Sequence, residues 1–240
     1  MRLPGSPLAR LRTARTRWAE RGDAVQCPVC GGRFARFVPY DGRDGALCPG
    51  CGCAERHRLM WLWLADEDRL RGRLLAFGPD DATDARLRGR PGLEYTSADL
   101  DATQAMVAAD ITDLPFADGT FDVVLCSHVL EHVPGEQAAL RELRRVLAPG
   151  GWAAVMLPVD RSVARTFEDA SAATPAQRAE RFGHPDHVRL YGADVAQRIG
   201  ADEVVDALAR FGAERERRHG LRRADRFGPD EIYLLRGPRA

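Results

Sequence analysis

Five of the six cysteines lie between residues 27 and 53. Cys27-Pro-Val-Cys30-Gly and Cys48-Pro-Gly-Cys51-Gly are two CxxC turns with a 17-residue spacer. Two thiolates in a tight turn span one edge of a tetrahedron, and glycine after the second cysteine relaxes the turn. Two such turns close a four-thiolate set. The spacing therefore predicts a structural Zn²⁺ site at Cys27, Cys30, Cys48 and Cys51, with no open position for catalysis. Cys53 and His57 follow closely, either replacing one ligand or lying beside the set. The region has few apolar residues, so metal contributes most of its folding free energy, on the order of 10 kcal/mol. A second concentration of titratable and aromatic residues spans 161–192, with Glu168, His184, Asp186, His187, Arg189 and Tyr191. Its plainest reading is an ordered loop. A metal site from His184, Asp186 and His187 is a rival, although adjacent spacing fits one tetrahedral site poorly.

The elements that position these groups can be read from periodicity. The 240 residues suffice for one ordinary core plus a small appendage. Residues 1–24 are Arg-rich, with Leu8, Leu11 and Trp18 on a partly apolar face. They form either an arm for RNA or an acidic partner, or an exposed packing helix with a frayed end. Residues 25–56 form the ribbon and 57–72 a connecting helix within a helical run over 54–71 that carries Leu59, Trp61, Leu62 and Leu64. From 73 to 240 strands and helices alternate. RLLAFGP, LEYTSADL, FDVVLCS, WAAVMLP and EIYLLRG are β-prone apolar runs. DDATDARLRGR is a short helix. EQAALRELRRVL carries Ala139, Leu140, Leu143, Val146 and Leu147 at helical spacing, and Pro149-Gly150-Gly151 is expected to stop that helix. Residues 193–213 are expected to hold a loop and a helix.

Composition narrows the function classes. The formal net charge is zero, which argues against a large nucleic-acid footprint. No lysine is present, so Schiff-base chemistry is excluded. No apolar stretch reaches membrane-spanning length, and the N-terminus has no secretory apolar segment. A cytoplasmic protein is expected, with its cysteines on metal rather than in disulfides.

Between residues 110 and 151 the chain carries Asp110, Leu114-Pro115-Phe116, Asp118-Gly119, Phe121-Asp122, Leu130-Glu131-His132, Arg145, Leu147 and Pro149-Gly150-Gly151. This pattern resembles the class I S-adenosylmethionine (SAM)-dependent methyltransferases, in particular the methyltransferase type 11-like branch. Cys53-Ala-Glu-Arg56-His57-Arg58 after the second CxxC turn is similar to the zinc modules fused to some of these proteins. The resemblance implies an α/β fold: a Rossmann-like, seven-stranded, mostly parallel sheet with a small N-terminal zinc ribbon.

It also implies a SAM site at the carboxyl ends of the strands. Ala76, Phe77, Gly78 and Pro79 would approach the amino-acid part, Gly78-Pro79-Asp80 replacing a run of spaced glycines. Asp80 would reach the cofactor ammonium or cap the next helix. Asp99, with Asp101 as rival and Leu100 beside it, would take the ribose hydroxyls. Asp110 would take the adenine amine and Ile111 would pack on the ring. Ser127 and His128 would face the donor methyl, with His128 a candidate base. The segment 161–192 would be a substrate-covering lid with His187 as a base, Arg189 holding an anion and Tyr191 lining the pocket. His132, Glu168 and His184 are further candidate substrate contacts, although packing suits His132 better. The implied activity is methyl transfer to an oxygen or nitrogen of a small-molecule, natural-product-like acceptor. RNA methylation using the ribbon and arm is an alternative, against which the absence of an NPPY-type motif counts mildly. A non-catalytic binding or scaffold protein is another. No membrane partner is expected, and a homo-oligomer is compatible with the sequence.

Overall fold

The structure is a computed structural model that describes residues 15–66, 68–228 and 230–238. Leu8 and Leu11 of the Arg-rich segment lie outside the described residues. Trp18 lies on a helical stretch at 15–19 and is 66% exposed. No helix among the described residues is long and apolar enough to cross a membrane.

The chain forms two compact units. One comprises residues 1–69, 80–86 and 207–225; the other comprises 70–79, 87–206 and 226–240. In the first, β1 (Arg21–Gln26) pairs with β2 (Arg33–Phe34), and β3 (Val38–Tyr40) pairs with β4 (Arg43–Leu47), both antiparallel. The helix α1 (Glu55–Asp66) follows. Its Arg58 is completely buried. The guanidinium donates to the carbonyls of Ala46 (3.0 Å), Cys53 (2.8 Å), His219 (2.8 Å) and Gly220 (2.6 Å) and stacks 3.9 Å over Phe37. A buried charge is tolerated here because its donors are satisfied. Arg58 thus joins the ribbon to the end of the kinked helix that spans Ala207–His219.

The second unit is built on a seven-stranded sheet. Its strands are β5 (Gly72–Phe77), β6 (Leu93–Asp99), β7 (Val107–Ala108), β8 (Phe121–Ser127), β9 (Leu147–Met156), β12 (Glu203–Val205) and β13 (Ile232–Arg236), in the order β12-β13-β9-β8-β5-β6-β7. β7, β6, β5, β8 and β9 run parallel, whereas β13 is antiparallel to β9 and to β12. The central strands read as continuous apolar runs because both faces are covered. Leu74, Leu75, Val124, Ala153, Val155 and Leu235 are all fully buried. Each buried Leu or Val contributes about 1.5–3 kcal/mol of hydrophobic free energy. The helix α3 (Glu136–Arg145) precedes β9, whereas α2 (Asp81–Arg88), which follows β5 in the chain, lies mostly in the first unit. The insertion folds as an antiparallel pair, β10 (Phe167–Glu168) with β11 (Arg189–Leu190), around α4 (Pro175–Phe182). A Thr174–Gln177 capping box starts α4, and Gly183 ends it at φ 82°.

Two expectations change. The helix α3 ends at Arg145, and Leu147 already pairs with Phe121. Pro149-Gly150-Gly151 is therefore not a helix stop but a bulged part of β9, where the Gly150 N–H bonds the Pro238 carbonyl at 3.2 Å. The stretch 193–213 contains a strand as well as helix, because Glu203–Val205 finds a partner in β13. A three-residue edge strand is too short to show a period of its own.

Candidate active site and metal centre

In the first unit the two CxxC turns have the same hydrogen bonds. Cys27 N–H reaches Gly32 O (2.9 Å) and Gly31 N–H returns to Cys27 O (2.8 Å). Cys48 N–H reaches Cys53 O (3.0 Å) and Gly52 N–H returns to Cys48 O (2.8 Å). Gly31 and Gly52 both take φ 75°, a backbone that only glycine adopts freely. The turns bring five thiols together. Sγ–Sγ distances are 3.4 Å for Cys27–Cys53, 3.7 Å for Cys30–Cys48 and 3.8 Å for Cys27–Cys51. Tetrahedral zinc with Zn–S near 2.3 Å sets thiolates about 3.8 Å apart, so the donor set fits the metal. Cys27, Cys48, Cys51 and Cys53 have all four sulfurs within 4.8 Å of one another. Cys53 thus stands in the four-sulfur group in the place expected for Cys30, and Cys30 lies beside it, its sulfur 3.7 Å from that of Cys48. His57 stands outside the group: its Nδ1 faces Asp80 Oδ2 at 3.3 Å and accepts the Ala54 N–H at 3.2 Å. The other Asp80 oxygen accepts the N–H groups of Ala82 (3.1 Å) and Thr83 (3.2 Å), capping α2.

The second unit concentrates polar groups at the carboxyl ends of its parallel strands, where open α/β sheets hold ligands. Gly78 follows β5 at φ 50°, and a Cβ there would stand 3.7 Å from Asp99 Oδ2. The absent side chain keeps that carboxylate approachable. Ala76, Phe77 and Pro79 are buried, so they offer backbone rather than side chain. Asp99 ends β6, and its Oδ1 accepts the Asp101 N–H at 3.0 Å. Asp101 instead binds Thr103 through its N–H (2.8 Å) and hydroxyl (2.7 Å). Leu100 beside it is 75% exposed. Asp110 is exposed, with Oδ1 taken by the N–H and hydroxyl of Thr112, which hold its pKa below the usual range. Ile111 is built into the core.

At the end of β8 the backbone of His128 is left-handed, φ 56°, and its N–H bonds Met156 O at 2.9 Å. A non-glycine residue in this region is uncommon and marks stored strain. The ring lies between two buried carboxylates: Nδ1 is 3.2 Å from Glu131 Oε1 and Nε2 is 3.8 Å from Asp230 Oδ1. Glu131 is completely buried and Asp230 is 2% exposed. Among the described residues, Asp230, Ser127 Oγ and His128 Nε2 make no hydrogen bond, and Glu131 has only the approach of His128 Nδ1 at 3.2 Å. Buried polar atoms without partners mark a place where a ligand or water is expected. Burial raises the Glu131 pKa, but His128, His132 and His187 outweigh it and hold it below the ordinary value. Sequence reasoning missed Glu131 and Asp230. Glu131 belongs to the Leu-Glu-His motif, whereas Asp230 sits in no motif and arrives only because β13 joins β9.

The insertion places its residues less uniformly. His132, His184 and His187 converge. Burial pushes the His187 ring down to about 4, so it is neutral at pH 7. Arg189 is 2% exposed and its guanidinium is taken: it donates to Glu168 (2.8 Å) and to the carbonyls of Leu130, Val133 (2.7 Å) and Pro134 (3.3 Å). An external anion would have to displace these bonds. Tyr191 is fully buried and donates its hydroxyl to Glu136 at 2.6 Å. Glu168 pairs with both Arg189 and Arg198.

The strand order defines an open, mostly parallel seven-stranded α/β sheet. Residues 80–155 match the family model of the Methyltransferase domain. A demethylmenaquinone methyltransferase of Mycolicibacterium vanbaalenii is 39% identical over 84 residues, covering 33% of this chain and 37% of that protein. The namesake from Mycobacterium bovis is 56% identical over 45 residues, 19% of each chain. The match thus spans about a third or less of these curated relatives. Among solved structures, Burkholderia thailandensis 1,6-didemethyltoxoflavin-N1-methyltransferase, with 1,6-didemethyltoxoflavin and S-adenosylhomocysteine bound, superposes with a TM-score of 0.50 at 16% identity over 77% of this chain and 79% of that one. At that identity the likeness concerns the fold.

Proposed function

We propose that this chain transfers a methyl group from SAM to an oxygen or nitrogen of a small-molecule acceptor. The observation that carries this reading is His128, held in strained backbone at the ligand edge between buried Glu131 and Asp230. SAM supplies a methyl activated on a sulfonium. Asp99 Oδ2 and Asp110 Oδ2 are left by their local turns as acceptors for hydroxyl and amine donors, and exposed Leu100 offers an apolar cover. The buried Asp230 carboxylate, without a hydrogen-bond partner among the described residues, favours a cationic ligand at the same edge. With Glu131 taking the Nδ1 proton, His128 keeps its lone pair on Nε2 and removes the acceptor proton there. Asp230, 3.8 Å away, compensates the imidazolium.

The thiolate cluster takes structural zinc in this reading. No observation favours the RNA alternative. Four described arginines of the first unit, Arg33, Arg36, Arg215 and Arg222, are paired with carboxylates. The test is calorimetric titration of the zinc-loaded chain with SAM. Micromolar or tighter binding supports the reading and opens an acceptor screen. Absence of binding overturns it in favour of a non-catalytic protein.

A further inference from the structure

We propose that His132, His184 and His187 form a second metal site, separate from the thiolate cluster. It takes a divalent transition-metal ion of the zinc class through three imidazoles and leaves the remaining position open to solvent. The inference stands apart from the methyl-transfer reading.

One nitrogen from each ring lies within 4.8 Å of the other two. Ring centroids are 4.8 Å apart for His184–His187, 4.9 Å for His132–His187 and 5.9 Å for His132–His184. Metal–nitrogen bonds near 2.0–2.1 Å need nitrogens about 3.3 Å apart. Small rotations of the two exposed rings, His132 and His184, close that difference.

The local structure holds the rings together. His187 N–H bonds His184 O (3.3 Å), forming a turn that presents both rings of the His-Pro-Asp-His segment. Val188 N–H bonds Glu131 O (2.9 Å), and Arg189 grips the carbonyls around His132. His132 Nδ1 lies 3.1 Å from the Asp186 carbonyl. That contact places the proton on Nδ1 and leaves Nε2 as the ligand atom, the usual outer-shell arrangement of a metal-bound histidine. His184 Nδ1 accepts the Asp186 N–H at 3.2 Å, and ligation by this ring replaces that bond.

A second, independent observation is the charge behind the rings. Glu131, next to His132 in the chain, is completely buried, and the one described cationic group near its carboxylate is the His128 ring at 3.2 Å. A cation on the imidazoles compensates that carboxylate. All-imidazole donors favour zinc, copper or nickel over magnesium or calcium. The open side borders a groove of about 500 Å³ that His132, Glu168, Asp186 and Arg189 help to line. Three protein ligands with one open position are able to hold a water or an acceptor atom.

The test uses the full chain with its thiolate site loaded with zinc, titrated with Co²⁺. A further equivalent of cobalt should bind, with d–d absorption and without a thiolate charge-transfer band. His184→Ala and His132→Ala, both at exposed positions, should each weaken that uptake by about 100-fold or more and leave the zinc content unchanged. No further uptake, or uptake unchanged in both variants, overturns the proposal.

Discussion

The buried carboxylate of Glu131 lies 3.2 Å from Nδ1 of His128, three residues earlier in the chain. The short turn Leu130–His132 and the left-handed backbone of His128 make that approach. That carboxylate thereby orients His128, while its chain neighbour His132 belongs to the three-imidazole cluster.

His128→Asn tests the first of these roles. Asparagine tolerates left-handed backbone, so the fold should persist. SAM affinity should stay within a few-fold, while methyl transfer to an acceptor found by screening should fall about 10²–10⁴-fold. Equal loss of SAM affinity and turnover would mean that His128 only supports the binding edge.

Asp99→Ala should weaken SAM binding by about tenfold or more, the effect of losing a charge-assisted hydrogen bond. Calorimetry reads this directly, with Asp101→Ala as control because Asp101 is committed to Thr103. An unchanged affinity in Asp99→Ala rejects the assignment.

Cys48→Ser should lower zinc content and melt the first unit. Elemental analysis with a thermal scan reports both. A metal contribution on the order of 10 kcal/mol exceeds what this small core supplies. Strong chelation of the wild type should do the same. A zinc-free preparation with unchanged melting excludes a structural metal.

Arg58→Lys should destabilise the first unit by several kcal/mol, at about 1.5–3 kcal/mol for each charged hydrogen bond lost. One ammonium cannot reach the Ala46, Cys53, His219 and Gly220 carbonyls as the guanidinium fork does. Urea midpoints of variant and wild type measure the difference, and equal midpoints refute the clamp.

Arg145 gives a pH signature. The Arg145 hydrogen bonds hold the Glu142 carboxyl below its usual range. Its stabilisation is therefore complete above the unfolded value, about 4.3, and fades as pH falls through the lower folded value. The stability gap between wild type and Arg145→Met should be full at pH 7 and shrink below about pH 4. A gap that stays constant down to pH 2 would assign the effect to packing of the arginine stem.

Much of this protein is legible from local pattern. Apolar runs such as FDVVLCS and the helical spacing of Ala139, Leu140 and Leu143 specify strand and helix because their burial repeats along the chain. The CxxC-Gly turns are visible for the same reason: their geometry is closed within five residues. The tertiary structure decided what depends on distant partners. Cys53 entered the thiol cluster because its turn folds against the first one. Asp230 reached His128 because β13 pairs with β9, and His132 met His184 and His187 because Arg189 and Val188 tie the insertion to the turn after β8. Arg189 and Tyr191, promising as exposed chemistry in the sequence, were spent on buried hydrogen bonds. Residue type and spacing set what each segment can do alone; which groups share one charge or one ligand is set by contacts that no local period encodes.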